Sequence, residues 1–461
     1  MNMNQIEVVK EFKDRFQGPV LLPHDPGYQE ARKVFNGYYD KYPAVIARCR
    51  NHAEVAQAIN FAREHQMKLA VRGGGHDYAG NSTCNGGLVI DLSLMNKVEI
   101  NHTTKTAFVQ AGVTCRELDA RAQDFGLATT LGTSSSIGVG GLTLGGGTGF
   151  LVRKFGLTID NLLSAELVTA DGKLLRASQK ENRDLFWAIR GGGGNFGVAT
   201  SFEFQLHEVG PQVLSAQFYY NHEEAKQMLQ FYREYIKTAP DELQCYVFFM
   251  RVPPIDVFPK EYHGIMTAAL IACYSGKNLA EGEKVLQPMQ AFGNPFAAFV
   301  QPMAYQELQK SFDMPKGFRW YSRARYLSQI SDGVIDTLEQ FTMPIKGAYT
   351  MVYLEPMGGA ANKKDSADTA FPHRNAAYSI HNLTGWSDPA DDQENISWAQ
   401  QFHQALAPYS MDGVYVNLLG HDEGERVKAA YGENWERLVK LKRKWDPTNV
   451  FGMNQNIPPE S

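Results

Sequence analysis

The sequence predicts an α+β protein of two domains, and three observations carry that prediction. Its 461 residues exceed what one compact core usually holds. Up to about residue 208, short strand-like and helical segments alternate around three glycine-rich clusters. From residue 209 the glycine clusters stop, and amphipathic helices and strand-length apolar runs take over, as in an antiparallel sheet backed by helices. The expected division is 1–208, 209–424 and a closing segment, 425–461.

In the first part, NHAEVAQAINFAREHQ (51–66) has the spacing of a helix. Val55, Ile59 and Ala62 share a face, and Asn51 with Glu54 has the form of a capping box. KLAVR, GGLVIDLS and KTAFVQAGVT are strand-like. RELDARAQDFG predicts a helix closed by Gly126. SAELVTADGKLLRAS predicts a hairpin turning at Asp171-Gly172. DLFWAIR is helical, and VATSFEFQL is a strand. In the second part, EEAKQMLQFYREYIK is an amphipathic helix, and QCYVFFMRV, GIMTAALIACY and AYTMVYLEPM are strands. WERLVKLKRKW predicts a last helix before a Pro/Asn-rich tail.

A net charge of −5 favours neither nucleic acid nor an anionic membrane as partner. The five cysteines, Cys49, Cys84, Cys115, Cys245 and Cys273, are odd in number and far apart. They suit neither a disulfide framework nor a zinc site, and no metal is expected. The start, MNMNQIEVVKEFKDRF, lacks the apolar core of a signal peptide, and no run reaches the roughly 18 apolar residues of a membrane span. A cytoplasmic location is expected.

The glycine clusters are 72-RGGGHDYAGNS-82, 138-GVGGLTLGGGTG-149 and 190-RGGGGNFG-197. Three ordered glycines in a row are entropically costly, so the backbone there must approach something closely or take positive φ. Gly192, Gly194 and Gly197 spell G-x-G-x-x-G, but a helix precedes them and a strand follows. A Rossmann turn needs the reverse order, and no P-loop motif is present. Glycine-rich turns whose N–H groups converge can still cradle a pyrophosphate, which points to a dinucleotide.

Four motifs, RGGGHDYAGNS, LGGGTGFLVRKFGLTIDNLLSAELVTADG, DLFWAIRGGGGNFGV and WDPTNVFGMNQNIPP, resemble the berberine bridge enzyme-like flavoproteins of the vanillyl-alcohol oxidase / p-cresol methylhydroxylase (PCMH) class. The resemblance runs from about Pro43 to Pro459. It implies a two-domain flavoprotein, with a PCMH-type FAD-binding domain and a substrate domain of antiparallel sheet plus helices. It sets Arg72, Gly73, Gly74, Gly75, His76, Asp77 and Ser82 in the loop against FAD, with His76 bonded covalently to the ring's 8α-methyl. Ser134 stands where many members carry a cysteine for a second link, so a single link is expected. Gly140, Gly141, Gly145, Gly146 and Gly147 should lie along the cofactor, and Val198 on its adenine side. Asn454 and Asn456 belong to a tail that should return to the FAD domain. Ile137 stands where valine is associated with oxidases, which leaves the electron acceptor open between O₂ and another.

Oxidising an alcohol carbon requires a base for the hydroxyl proton as the hydride leaves. The segment 414-VYVNLLG-420 resembles the family's Y-x-N strand and nominates Tyr415 as that base; strand alternation would put Asn417 on the same face. By the same resemblance, hydroxynicotine-oxidising members lack this tyrosine, since a neutral amine needs no base. The expected small-molecule substrate is therefore an alcohol, a sugar hemiacetal or a natural-product CH–OH group, with amine oxidation as an alternative. FPHRNAAYSIHN contributes Tyr378 and His381 as pocket candidates, and VYLEPMGG contributes Glu355. Three functions stay open: an oxidase releasing H₂O₂, a dehydrogenase in which Ile137 shields the flavin, and a non-catalytic flavin-fold protein.

Overall fold

A computed structural model of the chain describes residues 3–460. Four sheets are present among them. The first runs Val20–Leu21, Val45–Arg48, Leu88–Asp91, Leu69–Arg72, with the last three strands parallel. Its parallel strands are buried on both faces, which is why they read as unbroken apolar runs. The second runs Val98–Asn101, Thr106–Gln110, Val198–Gln205, Leu162–Val168, Leu174–Ser178 and is antiparallel throughout. The hairpin at Asp171-Gly172 forms as its sequence dictates, with Gly172 at φ +79°. A two-stranded ribbon, His207–Glu208 with Leu127–Ala128, lies beside these.

Seven antiparallel strands make the large sheet. Their order is Ala297–Ala304, Gln212–Asn221, Met266–Tyr274, Leu243–Arg251, Met351–Pro356, Tyr378–Trp386, Arg319–Leu327. The strand Leu243–Arg251 shows how the sheet divides two cores. Cys245, Val247 and Phe249 face the helices Ala225–Thr238 and Asp332–Thr342. Tyr246 and Phe248 face the other way, toward the glycine-rich part of the molecule. Both faces are covered, so the strand shows no polar alternation. Fully burying each such side chain contributes roughly 1.5–3 kcal/mol.

Two local expectations need correction. Asn51 does cap the helix His52–Glu64, accepting the Glu54 N–H at 3.0 Å. The Glu54 carboxylate, however, receives the Arg50 N–H rather than that of Asn51, so the reciprocal half of the box sits one residue earlier. The second glycine cluster opens as a short helix, Val139–Leu144, rather than as continuous loop.

The two halves meet at a buried polar contact. Gln309 Nε2 donates to Asp119 at 3.2 Å and to the Gly132 carbonyl at 3.1 Å. Burial pushes the Asp119 carboxyl up to about 7, opposed only by the Gln309 hydrogen bond. A folded-state value raised above the unfolded one means stability is complete below the unfolded value, near 3.9, and is lost as pH rises through about 7. Asp119→Asn should therefore raise the unfolding midpoint at pH 8 by an amount corresponding to ~2–4 kcal/mol, and change it little at pH 4. Thermal scans at the two pH values check this.

Candidate functional site

The three glycine clusters converge on one cavity of about 300 Å³ between the first two sheets and the large one. Gly73, Gly74, Gly75, His76, Asp77 and Ser82 line it from the loop after Leu69–Arg72. Gly140 and Gly141 line it from the second cluster; Gly193, Gly194, Gly197 and Val198 line it from the third. The helix Arg183–Ile189 precedes that third cluster and the strand Val198–Gln205 follows, the order that excludes a Rossmann turn.

Close approach explains the first cluster. A Cβ on Gly74 would run into the Gly138 backbone, 2.6 Å from its Cα, and one on Gly138 would run into Gly74. Backbone meets backbone there, so the glycine packs two cavity-lining loops together. Gly75 takes φ +67° and turns the chain into His76. Gly74→Ala should leave the purified chain without flavin, since neither backbone can yield; absorbance of the purified protein checks it. Asp77 ties the same loop by accepting the Ala79 N–H at 3.2 Å and that of Asn81.

His76 is enclosed. Its ring stacks on Phe35 at 3.7 Å, 15° from parallel, and its Nε2 is buried without a hydrogen-bond partner. Burial pushes its pKa down to about 4, so the imidazole is neutral at pH 7. Arg72 departs from expectation. Its guanidinium turns away from the cavity to pair with Asp91 at 2.8 Å and to donate to the Ala31 carbonyl, bracing the loop from behind.

Gly145, Gly146 and Gly147 also stand back from the cavity lining. Side chains from the far end of the chain fill the space above them. Asn417 packs on Gly145, and the Phe371 and Tyr415 rings pack on Gly146. The Gly147 N–H donates to the Tyr415 hydroxyl at 2.9 Å. Asn417 Nδ2 donates to the same oxygen at 3.0 Å. The expected strand is absent: Val416–Leu418 is a turn of 3₁₀ helix, yet Tyr415 and Asn417 both reach the cavity. Burial raises the Tyr415 pKa, with the Gly147 and Asn417 hydrogen bonds pulling it back.

On the large sheet the alternation of Tyr378–Trp386 separates two candidates three residues apart. His381 faces the cavity with Leu383, whereas Tyr378 faces the helices on the other side. Tyr378 is thus a core residue and not part of the lining. Glu355 shares the cavity face of its strand, but lies buried behind His381, its Oε2 3.4 Å from His381 Nε2. Tyr246 donates to Glu355 Oε1 at 3.0 Å.

The tail closes the third side. Asn454 and Gln455 line the cavity; Asn456 does not, although its side-chain oxygen, like that of Asn454, is buried without a partner. Asn195 of the third glycine cluster holds the tail, accepting the Ile457 N–H at 2.9 Å and donating to the Gln455 carbonyl at 3.2 Å. Below it, Lys442 pairs with Asp446 at 2.7 Å and donates to the Asn195 carbonyl at 2.9 Å, all fully buried.

Known proteins share this arrangement. Residues 43–178 match an FAD binding domain family, and residues 414–458 match the berberine and berberine-like family. An uncharacterised FAD-linked oxidoreductase of Bacillus subtilis (strain 168), YgaK, is 32% identical, covering 97% of this chain and 98% of its own. The chain is a berberine bridge enzyme-like FAD-linked oxidoreductase. The (R)-6-hydroxynicotine oxidase of Paenarthrobacter nicotinovorans is 30% identical, covering 96% of this chain and 97% of its own. The crystal structure of 6-hydroxy-D-nicotine oxidase from Arthrobacter nicotinovorans superposes with a TM-score of 0.87 at 27% identity, covering 96% of this chain and 98% of that one. The two-domain FAD-binding architecture is common to this flavoenzyme and to that structural neighbour.

The residues present fit FAD. His76 Nε2, Ser82 Oγ and the Asn454 side-chain oxygen are buried, unpartnered and set in the cavity wall. Positions 141 and 194 have no atom within 3.8 Å of where a Cβ would stand, so the backbone there is open to a ligand. Several site residues have no motif to announce them. Phe35 stacks on His76 from 41 positions away in sequence, and Asn195 hides inside the third glycine cluster. Asp313 accepts from Ser134 Oγ at 3.0 Å, from the Ser135 N–H at 2.6 Å and from Arg116 at 3.0 Å. It pins the loop that carries Ser134 and Ser135.

Proposed function

We propose that this flavoenzyme oxidises a CH–OH carbon of a small molecule, with Tyr415 as the base. The division at about residues 208 and 424 then separates cofactor binding, substrate binding and a return segment. FAD, when bound, would supply the two-electron acceptor for the hydride that leaves the CH–OH carbon, with O₂ as the final oxidant, released with two protons as H₂O₂. His76 carries it covalently, as the only link, with Ser134 unable to form a second. The backbones of residues 73–75, 140–141 and 193–194 face the cofactor, with Ser82, Val198 and Asn454 beside it.

One observation carries the reading: the Tyr415 oxygen receives two donors, the Gly147 N–H and Asn417 Nδ2, and has its own proton left over. Two hydrogen bonds into that oxygen favour the phenolate, the form that takes a substrate proton. Anaerobic reduction of the flavin by an alcohol, followed across pH in the wild type and in Tyr415→Phe, tests it. Equal rates in the two would sink the assignment.

A second reading, a dehydrogenase, rests on Ile137. Its side chain lines the cavity and packs so closely on Gly132 that a Cβ there would lie 2.9 Å from Ile137 Cδ1. Mixing reduced enzyme with O₂ decides between the two: slow reoxidation that quickens in Ile137→Val supports shielding.

A further inference from the structure

Residues 35–37 lie between the first glycine cluster and the start of the strand Arg319–Leu327, and are bonded to both. On one side the Phe35 N–H donates to the Gly75 carbonyl at 2.9 Å, and Asn36 Nδ2 donates to the Tyr78 carbonyl at 3.1 Å. On the other, the Gly317 N–H donates to the Phe35 carbonyl at 3.2 Å, and the Gly37 N–H to the Phe318 carbonyl at 2.7 Å. Asn36 is fully buried; it accepts the Trp320 N–H at 2.9 Å and donates to the Trp320 carbonyl at 2.9 Å. A Cβ on Gly37 would stand 2.2 Å from the Gly317 oxygen, so the two backbones are in direct contact.

The side chains repeat the connection. The Phe35 ring stacks on His76, centres 3.7 Å apart at 15°, and on Trp320, centres 5.8 Å apart at 14°. Tyr78 meets both the His76 and the Phe35 ring edge-on, at 6.0 Å. Trp320 has no room to shift: it is buried, and its partner on the neighbouring strand is Gly385, where a Cβ would lie 2.4 Å from the indole. A chain of stacked rings thus runs from the large sheet to the imidazole. A bond from an imidazole nitrogen forms only when its in-plane lone pair points at the carbon it attacks, and a ring free to turn spends little time so aimed. A face set by Phe35 and an edge set by Tyr78 remove that freedom.

Resting on the reading of His76 as the covalent link, we propose that Phe35 and Trp320 are positioning residues for attachment of the flavin, Trp320 acting through Phe35 to hold the His76 ring plane. The net step breaks one C–H bond of the 8α-methyl and the imidazole N–H bond, and forms the C–N bond. The two electrons and two protons released pass to the flavin ring and then to dissolved O₂ as H₂O₂. Neither aromatic side chain takes part in that exchange; each raises the fraction of time the imidazole is correctly aimed. Because Trp320 belongs to the large sheet, attachment follows the docking of the second domain.

The test produces the full chain under riboflavin limitation, adds FAD in air, and follows with time the yellow colour that stays with acid-precipitated protein. Total bound flavin and the thermal midpoint are read on the same samples. The expected result is that Phe35→Leu binds FAD as the wild type does but attaches it about tenfold more slowly, a gap of about 1.4 kcal/mol. Phe35→Tyr, which keeps a ring against the imidazole, should attach it at close to the wild-type rate. A merely structural role would lower bound flavin or the midpoint and leave the attachment rate of the bound fraction unchanged. Equal attachment rates in Phe35→Leu and the wild type, or a tyrosine variant as slow as the leucine one, overturn the proposal. Should Phe35→Leu not fold, Trp320→Phe decides: slowed attachment with full flavin binding supports the proposal, and an unchanged rate overturns it. A wild-type chain without covalent flavin, or a His76→Ala chain that keeps it, removes the His76 reading itself, and this proposal with it.

Discussion

His76→Ala gives a protein whose yellow colour leaves with the supernatant on acid denaturation, whereas the wild-type colour stays with the precipitated chain. The expected contrast is nearly complete, because among the described residues no cysteine lines the cavity, and the other histidine that does, His381, stands on the large sheet rather than in the first glycine loop. All five cysteines are buried as thiols, and the serine at position 134 is occupied by Asp313. The structure makes His76 suitable in two ways. Its proton affinity is depressed by burial, which keeps a nitrogen lone pair free at neutral pH. The Phe35 stack fixes the ring plane, so little side-chain entropy remains to be lost. Mass spectrometry of the tryptic peptide of residues 73–97, which holds His76, should show the flavin adduct. An alanine variant that retains covalent flavin would move the link elsewhere.

Tyr415→Phe should lower the flavin-reduction rate by ~10²–10⁴-fold with little change in flavin content. Burial raises the Tyr415 pKa, so the base form is scarce at neutral pH. The wild-type rate should therefore climb with pH through the alkaline range, and the phenylalanine variant should be flat. A cost to stability comes with it. The Gly147 N–H and Asn417 Nδ2 lose their shared acceptor, at roughly 1–3 kcal/mol per unsatisfied buried group. Asn417→Ala removes one of the two donors and should give a smaller loss of rate, with the alkaline limb displaced upward. Stopped-flow reduction across pH separates these outcomes.

Local grammar made most of the elements legible. The Asp171-Gly172 turn, the Asn51 cap and the helix before the third glycine cluster follow from spacing and turn chemistry alone. The motif residues that face the cavity directly, such as His76 and Val198, were legible through the family resemblance and not through local spacing. What the sequence concealed is orientation across long separations. Tyr378 and His381 sit in one motif, and only the pleat of their strand sends one into the helical core and the other into the cavity. Gly145, Gly146 and Gly147 lie in a glycine cluster like the others, but residues more than 220 positions later pack over them. Arg72 precedes the glycines, and its ion-pair partner Asp91 lies on the adjacent parallel strand, so its backward turn is set by sheet pairing. Asp313 and Phe35 belong to no motif, and only tertiary proximity gives them a role.

The tail's attachment has a consequence for biosynthesis. The hydrogen bond from the Ile457 N–H to Asn195 joins residues 262 positions apart. At the usual pace of translation, the third glycine cluster waits about 13–50 s for the segment that completes it. The cavity is open on that side throughout, with its parallel strands already made. The cofactor can therefore be captured in a stable way only after the chain has been synthesised nearly to its end, and a ribosome stalled between positions 200 and 450 would carry a colourless nascent chain.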